Sequence, residues 1–309
     1  MSAKEPVEKL PLAVRKNVRD EFEADREDLE SQISKLLGGQ QWKIEVNPNL
    51  IYAYAEEGSY GHQSLGDCMK AYIDGAIYRL KYFLESQDHG EEGVAEINKL
   101  ASTHTITIYP DLEKKNSYCG VDIKGGVLRI LFREGNLGTN VDNALEHLEN
   151  ALNEAAPADS SELSYTARNS IKRDWDKDAE TLRKDIAEQV HNDNIKLNPN
   201  FAAVVEKLKT GKDVRDDWAA NLGAFTKKYF ESVAYYLKCN KFKEDDLMYE
   251  GFNEVVTGNE IIFRVVDKVT GPSSYNQCLV EDGKLVLQTT PSNFGTNVDY
   301  IAEKIVDVL

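Results

Sequence analysis

Two stretches decide the fold: SYCGVDIKGGVLRILFREGNLGTNVDNALEHLENAL at 117–152 and SYNQCLVEDGKLVLQTTPSNFGTNVDYIAEKIVDVL at 274–309. They lie over one another without a gap at an offset of 157, and both carry the pentapeptide GTNVD, at 138–142 and at 295–299. Each reads as two short apolar strands, a two-residue turn and a closing helix. Gly125-Gly126 and Asp282-Gly283 supply the turn, because both central positions of a tight hairpin favour positive φ.

The likeness extends upstream. VNPN at 46–49 pairs with LNPN at 197–200, at an offset of 151. Phe22, Leu29, Ile33 and Leu37 pair with Trp175, Leu182, Ile186 and Val190 at 153, and YIDGAIYRLKYFL (72–84) is laid over FTKKYFESVAYYL (225–237) at the same offset. The offsets drift by a few residues, as loop insertions and deletions would make them, and such a recurrence is the mark of a repeated folding unit. The expected architecture is α+β: a tandem duplication of one helix and antiparallel-sheet domain, pseudo-twofold within one chain. The repeats are expected at 14–152 and 165–309, with a linker at 153–164 and a disordered N-terminus at 1–13.

Each half reads in the same order. An amphipathic helix comes first, at 21–37 and 174–190, with its apolar residues at 3.6 spacing. A short strand (42–46 in the first half) and an Asn-Pro-Asn turn follow. LIYAYA then reads as a returning strand, whereas FAAVVEKLK in the second half reads as a helix. A second helix, at 65–78 and 216–230, runs into the β-prone stretches YRLKYFL and ESVAYYL. Strands are expected at 103–109, 120–124 and 127–133, and at 260–266, 277–281 and 285–289, with closing helices at 140–152 and 297–308.

The composition narrows the function. Lys and Arg number 37 against 53 Asp and Glu, a net charge of −16, and both halves are acidic. Nucleic acid and anionic membranes are therefore not expected partners. The longest apolar stretches, 50–55 and 126–132, are far too short to cross a bilayer. No apolar leader opens the chain, and Cys68, Cys119, Cys239 and Cys278 form no CxxC pair, so free thiols in a reducing cytoplasm are expected. None of the four cysteines matches a cysteine of the other half, so no disulfide or metal framework is shared between the halves. No HExxH, GxSxG or GxxxxGK[ST] motif is present, and no catalytic, cofactor or metal site is expected.

Three features invite a site. In GTNVD, Thr139 and Thr296 stand three residues before Asp142 and Asp299, the spacing of a capping box. The expected role is structural: the threonines cap the closing helices, a contribution of about 0.5–2 kcal/mol, while Leu137 and Phe294 pack down before them. Tyr72, Tyr82, Tyr229 and Tyr235 are the candidates to line a small-molecule pocket between the sheet and the second helix. The acidic run EFEADREDLE (21–30) could face a basic protein partner.

CMKAYIDGAIYRLKYFL (68–84) resembles the helix before the sheet in the subunits of F-actin capping protein, and VEDGKLVLQTTPSNFGTNVDYIAEKI (280–305) resembles that family's final hairpin and helix. The resemblance implies an antiparallel sheet, a pseudo-symmetric pair and a cytoskeletal setting. The basic amphipathic tail that the family uses on actin is not found after the last helix, so the resemblance is read for fold. The leading functional expectation is a non-enzymatic protein-binding or scaffold protein; the competing one is a small-molecule binder or enzyme using the tyrosine pocket.

Overall fold

The closing segment of each half is held by a tyrosine, and the rest of the unit can be built outward from that contact. In the computed structural model, which describes residues 3–156, 163–270 and 275–309, the chain divides into two units, Met1–Ser160 and Ser161–Leu309. The expected linker therefore lies partly outside the described residues, at 157–162.

The first unit opens with α1 (Leu12–Asn17), a π-helical turn at Val18–Glu23 and α2 (Arg26–Leu36). Phe22, Leu29 and Ile33 form its buried stripe. The preceding residues, expected to be loose, are tied down instead. The backbone N–H of Lys4 donates to the Tyr54 hydroxyl at 2.7 Å, Val7 and Asn49 exchange two hydrogen bonds, and Leu10 is buried. Strand β1 (Lys43–Ile44) leads into α3 (Pro48–Tyr52). Here the expected strand at LIYAYA is corrected. Pro48 occupies the first helical turn and the Asn47 side chain accepts from the Leu50 N–H at 3.1 Å, so Asn-Pro-Asn starts a helix.

After α4 (Tyr60–Gln63), helix α5 (Leu65–Lys81) runs on through a π-helical turn at Tyr82–Ser86. YRLKYFL is thus helical and not β-prone: Tyr72, Ile73, Ala76, Leu80, Phe83 and Leu84 keep helical spacing and are all buried, and burial overrides strand propensity. Helix α6 (Gly90–Leu100) was not anticipated. Strands β2 (Thr105–Pro110), β3 (Cys119–Lys124) and β4 (Val127–Phe132) follow, then a 3-10 turn at Val141–Asn143 and α7 (Leu148–Ala155).

The second unit follows this order without counterparts of α4 and of the π-helical turn after α5: α8 (Tyr165–Ser170), a π-helical turn at Ile171–Asp176, α9 (Ala179–Gln189), β5 (Lys196–Asn198) and α10 (Phe201–Thr210). Then come α11 (Leu222–Cys239), α12 (Asp246–Val255), β6 (Glu260–Val265), β7 (Asn276–Glu281), β8 (Lys284–Thr289), a 3-10 turn at Val298–Tyr300 and α13 (Ile305–Val308).

The fold is mixed α/β, and each sheet is mixed, which corrects the expected antiparallel sheet. The strand orders are β1-β2-β4-β3 and β5-β6-β8-β7. The glycine turns do close antiparallel hairpins, β3–β4 and β7–β8. But β2 runs parallel to β4, and β6 to β8, because the chain crosses to the far edge before the hairpin and the returning strand inserts between. A hairpin signature reports one pair of strands and says nothing of a non-local neighbour. Ile106, Ile108, Leu128, Ile130 and Phe132 fill the buried face of the first sheet; Ile261, Phe263, Leu285 and Leu287 fill that of the second.

The buried Tyr72 hydroxyl accepts the N–H of Gly138 at 2.9 Å, and the buried Tyr229 hydroxyl that of Gly295 at 3.0 Å. Both bonds span 66 residues, so α5 and α11 correspond at an offset of 157; the offset of 153 read from sequence for this helix is corrected. Gly66 and Gly223 fit the corrected register. A Cβ at Gly66 would lie 2.4 Å from the Asn17 carbonyl oxygen, and one at Gly223 would lie 2.2 Å from that of Ser170. These are the places where the long helix crosses the first one.

GTNVD caps nothing with its threonines. Asn140 and Asn297 precede the 3-10 turns in left-handed backbone, at φ 53° and 50°, without a side-chain cap bond. The expected capping by Thr139/Asp142 and Thr296/Asp299 is therefore corrected, as are the single closing helices. Leu137 and Phe294 are buried, as expected.

Thr296→Ala is expected to change stability by less than about 0.5 kcal/mol, as a substitution that breaks no defined contact does. Tyr229→Phe, which leaves the Gly295 amide without its acceptor, is expected to cost about 1–3 kcal/mol in urea melts. A second test uses pH. The buried Glu30 carboxylate accepts from the Ile44 N–H at 3.0 Å, Lys43 at 2.8 Å and Arg26 at 3.3 Å. Burial pushes its pKa up, but these three donors outweigh burial and hold it below its ordinary value of 4.5. The stabilisation it confers is complete above that ordinary value and is lost as pH falls through the depressed one. The stability gap between wild type and Glu30→Gln, measured by melts from pH 7 to pH 3, should therefore shrink on acidification.

Candidate functional site

The outer strand of each sheet, β3 or β7, has a partner on one side only. In a hairpin closed by a two-residue turn, alternate residues exchange both backbone bonds with the partner strand. Counting from the closing pairs Lys124–Val127 and Glu281–Lys284, Val121 and Ile123 on β3, and Cys278 and Val280 on β7, turn their N–H and C=O groups across the open edge.

A groove runs along this edge in each unit, walled by the closing segment. In the first unit it measures about 540 Å³ and is lined by Val121 and Ile123 on the strand, by His147 and Ala151 on the wall, and by Asp111 and Lys115 from the loop after β2. In the second it measures about 710 Å³ and is lined by residues 275–279 of the strand and by Tyr300, Ile301, Lys304 and Val308.

The walls are fixed by bonds between the strand and the backbone of GTNVD. The Cys119 thiol donates to the Asn140 carbonyl at 3.0 Å. The Asn276 amide donates to the Thr296 carbonyl at 2.8 Å and to that of Asn297 at 3.0 Å. In the first groove, Asp111 accepts from the Asn116 backbone N–H at 2.8 Å and from its side chain at 3.0 Å. Arg129 forks onto Asp122, and its guanidinium lies 4.9 Å from the centre of the Tyr109 ring. The Asp122 carboxylate raises the Arg129 pKa further, so this cation stays charged.

The four tyrosines expected to line one pocket do not meet. Tyr72 and Tyr229 are fully buried in the packing between the long helix and the closing segment. Tyr82 and Tyr235 are exposed and line separate surface hollows. Half of the carboxylates in the acidic run at 21–30 are paired within the chain: Asp25 with Lys70, Glu23 with Arg26, and Glu30 with Arg26 and Lys43. The grooves themselves escaped sequence reading, because an open strand edge is a property of strand order, and the strand order is non-local.

Among the described residues, no group of three or more His, Cys, Asp or Glu side chains could hold a metal, and no helix is long and apolar enough to cross a membrane. No family model, curated protein or solved structure matches the chain.

The cysteines offer a probe of the grooves. Burial pushes the thiols of Cys68 and Cys278 up to about 12 and that of Cys119 to about 11. Cys239 is exposed. With a thiol-specific chromogenic reagent at pH 8, one fast equivalent is expected, and it should disappear in Cys239→Ser. Cys278 should react only slowly, as a protonated and buried thiol does.

Proposed function

We propose that this chain is a non-enzymatic binding protein, built by tandem duplication of one α/β unit, and that each unit takes up an extended segment of another protein along its open outer strand. One observation carries the reading: in both units a groove of several hundred Å³ lies beside the free edge of the same strand and is walled by the same closing segment. A strand edge beside a helix is a recurrent way to bind an extended peptide. Main-chain hydrogen bonds supply affinity, and the groove wall reads alternate side chains.

Duplication is supported by the sequence offset of 157 and by contacts that recur in each unit. These are the tyrosine bond to GTNVD, the π-helical turn in the first helix, and an ion pair from the long helix to the second residue after that turn, Lys70–Asp25 and Lys227–Asp178. Two linked grooves would raise the avidity for a partner that carries two segments. The resemblance to capping-protein subunits directs the search for that partner to the cytoskeleton.

The test is selection of random nine-residue peptides against the full chain, followed by amide hydrogen exchange with the best binder. Protection is expected at Val121 and Ile123, or at Cys278 and Val280. Val280→Pro, which removes one outward donor while leaving the ladder to β8 intact, is expected to weaken binding by about tenfold, or 1.4 kcal/mol. Binders that protect other surfaces, or the absence of any enriched peptide, would overturn the reading.

A further inference from the structure

The two units treat one position differently. In the first, Arg79 on α5 reaches over to the closing segment. Its Nε donates to the Asp142 carbonyl at 2.7 Å, its second arm bonds the Asn143 side chain, and Glu146 lies 3.7 Å away. An internal guanidinium thus bridges the long helix and the 3-10 turn and lines a smaller hollow, of about 210 Å³, with Tyr82 and Glu146.

At the offset of 157 that the Tyr72–Gly138 and Tyr229–Gly295 bonds establish, the second unit keeps the acids and loses the cation. Asp299 and Glu303 stand in the places of Asp142 and Glu146, while Tyr236 replaces Arg79 and Tyr300 replaces Asn143. The Asp299 carbonyl, which matches the acceptor of Arg79, instead accepts from the Ser232 hydroxyl at 2.9 Å. What remains is a hollow of about 410 Å³ lined by Glu231, Ser232, Tyr235, Tyr236, Asp299 and Tyr300.

Its chemistry suits a planar cation. The rings of Tyr235 and Tyr236 stand perpendicular, at 85°, with centres 5.1 Å apart. Tyr235 and Tyr300 are each 60% exposed, so their ring faces are open to a ligand. Glu231 is partly engaged by Lys227, at 3.8 Å. The carboxylates of Asp299 and Glu303 form no ion pair among the described residues. Guanidinium stacks on aromatic faces and forks onto carboxylates, and it is more weakly hydrated than ammonium, so it gains most from a site of this kind.

We propose that the Tyr235–Tyr236–Tyr300 hollow binds an arginine side chain of a protein partner, taking from outside the guanidinium that Arg79 supplies from within the first unit. The inference deepens the strand-edge reading, because Tyr300 lines both this hollow and the β7 groove. A segment lying along β7 could place an arginine there.

The test uses the full chain and two capped tripeptides, acetyl-Gly-Arg-Gly-amide and its neutral isostere with citrulline in place of arginine. Their binding is read from the ring signals of Tyr235, Tyr236 and Tyr300 by NMR. A saturable shift is expected with the arginine peptide, and at least about tenfold weaker binding with citrulline. Tyr236→Arg, which restores the arrangement of the first unit, should abolish the response while leaving the urea midpoint near that of wild type. Glu303→Gln, a change to one surface carboxylate, should weaken it several-fold. No saturable shift at these rings, equal binding of citrulline, or undiminished binding by Tyr236→Arg would overturn the proposal. Failure here with intact edge protection in the hydrogen-exchange experiment would sink the arginine site alone; the reverse outcome would sink the strand-edge reading alone.

Discussion

Each unit depends on one hydrogen bond, from a glycine amide to a buried tyrosine hydroxyl. Gly138 and Gly295 hold φ near 84° and 83°, a conformation that L side chains rarely adopt. A Cβ there would also strike the Tyr60 ring at 2.8 Å or the Phe225 ring at 2.5 Å. With no side chain, the backbone comes close enough to the long helix for its N–H to reach the phenol. That contact aims the residues after it. The chain turns through a left-handed asparagine into a 3-10 turn, and the closing segment comes to lie beside the outer strand. Without the bond, a half-buried amide would be left without its acceptor and the groove would lose its wall.

The same geometry explains why GTNVD misleads as a sequence motif. Thr-x-x-Asp is the spacing of a capping box, and local spacing is all that a single sequence offers there. What fixes the motif is tertiary. The glycine is required by a tyrosine 66 residues earlier, and the asparagine by the turn that follows. Features set by neighbours in the chain were legible: the two hairpins with their glycine turns, the stripe of the first helix, and the burial of Leu137 and Phe294. Features set across the chain were not. The position of β4 between β2 and β3 is one. The helical state of YRLKYFL is another, since Leu80, Phe83 and Leu84 are buried along one face of α5 and its π-helical continuation while Tyr78 and Tyr82 are exposed. α6 and α12 carry apolar residues at helical spacing, Ile97 and Phe252 among them, so a periodicity scan of that segment would have found them.

The candidate site was less legible than the fold. The sequence directed attention to tyrosines, and two of the four are structural bolts while the other two lie on the surface. It also directed attention to the acidic first helix, where Glu23, Asp25 and Glu30 are committed to ion pairs within the chain. Asp25 and Asp178 follow the π-helical turns and anchor a lysine of the long helix, Lys70 and Lys227, so much of the charge in this region serves to position helices. Long-range attraction from a net charge of −16 still brings cations to the surface. It does not choose where they settle.

That choice needs local acceptors that are not already used, and here the contrast between the units is informative. In the first unit the internal cation bonds the Asp142 carbonyl and the Asn143 side chain and lies 3.7 Å from Glu146, so it occupies the place an external cation would take. Where Arg79 forks onto the closing segment, the chain has met its own demand and offers a partner little; its guanidinium is also held by a helix, so little side-chain entropy is left to lose. Where Tyr236 stands instead, the acids face solvent and the rings beside them lack a cation. In the proposed reading, an aromatic residue in place of the internal cation leaves the same backbone frame open to a cation from outside. On that reading the first unit keeps its contact within the chain and the second offers the corresponding place to a partner, a division of labour that two units of the same strand order would allow.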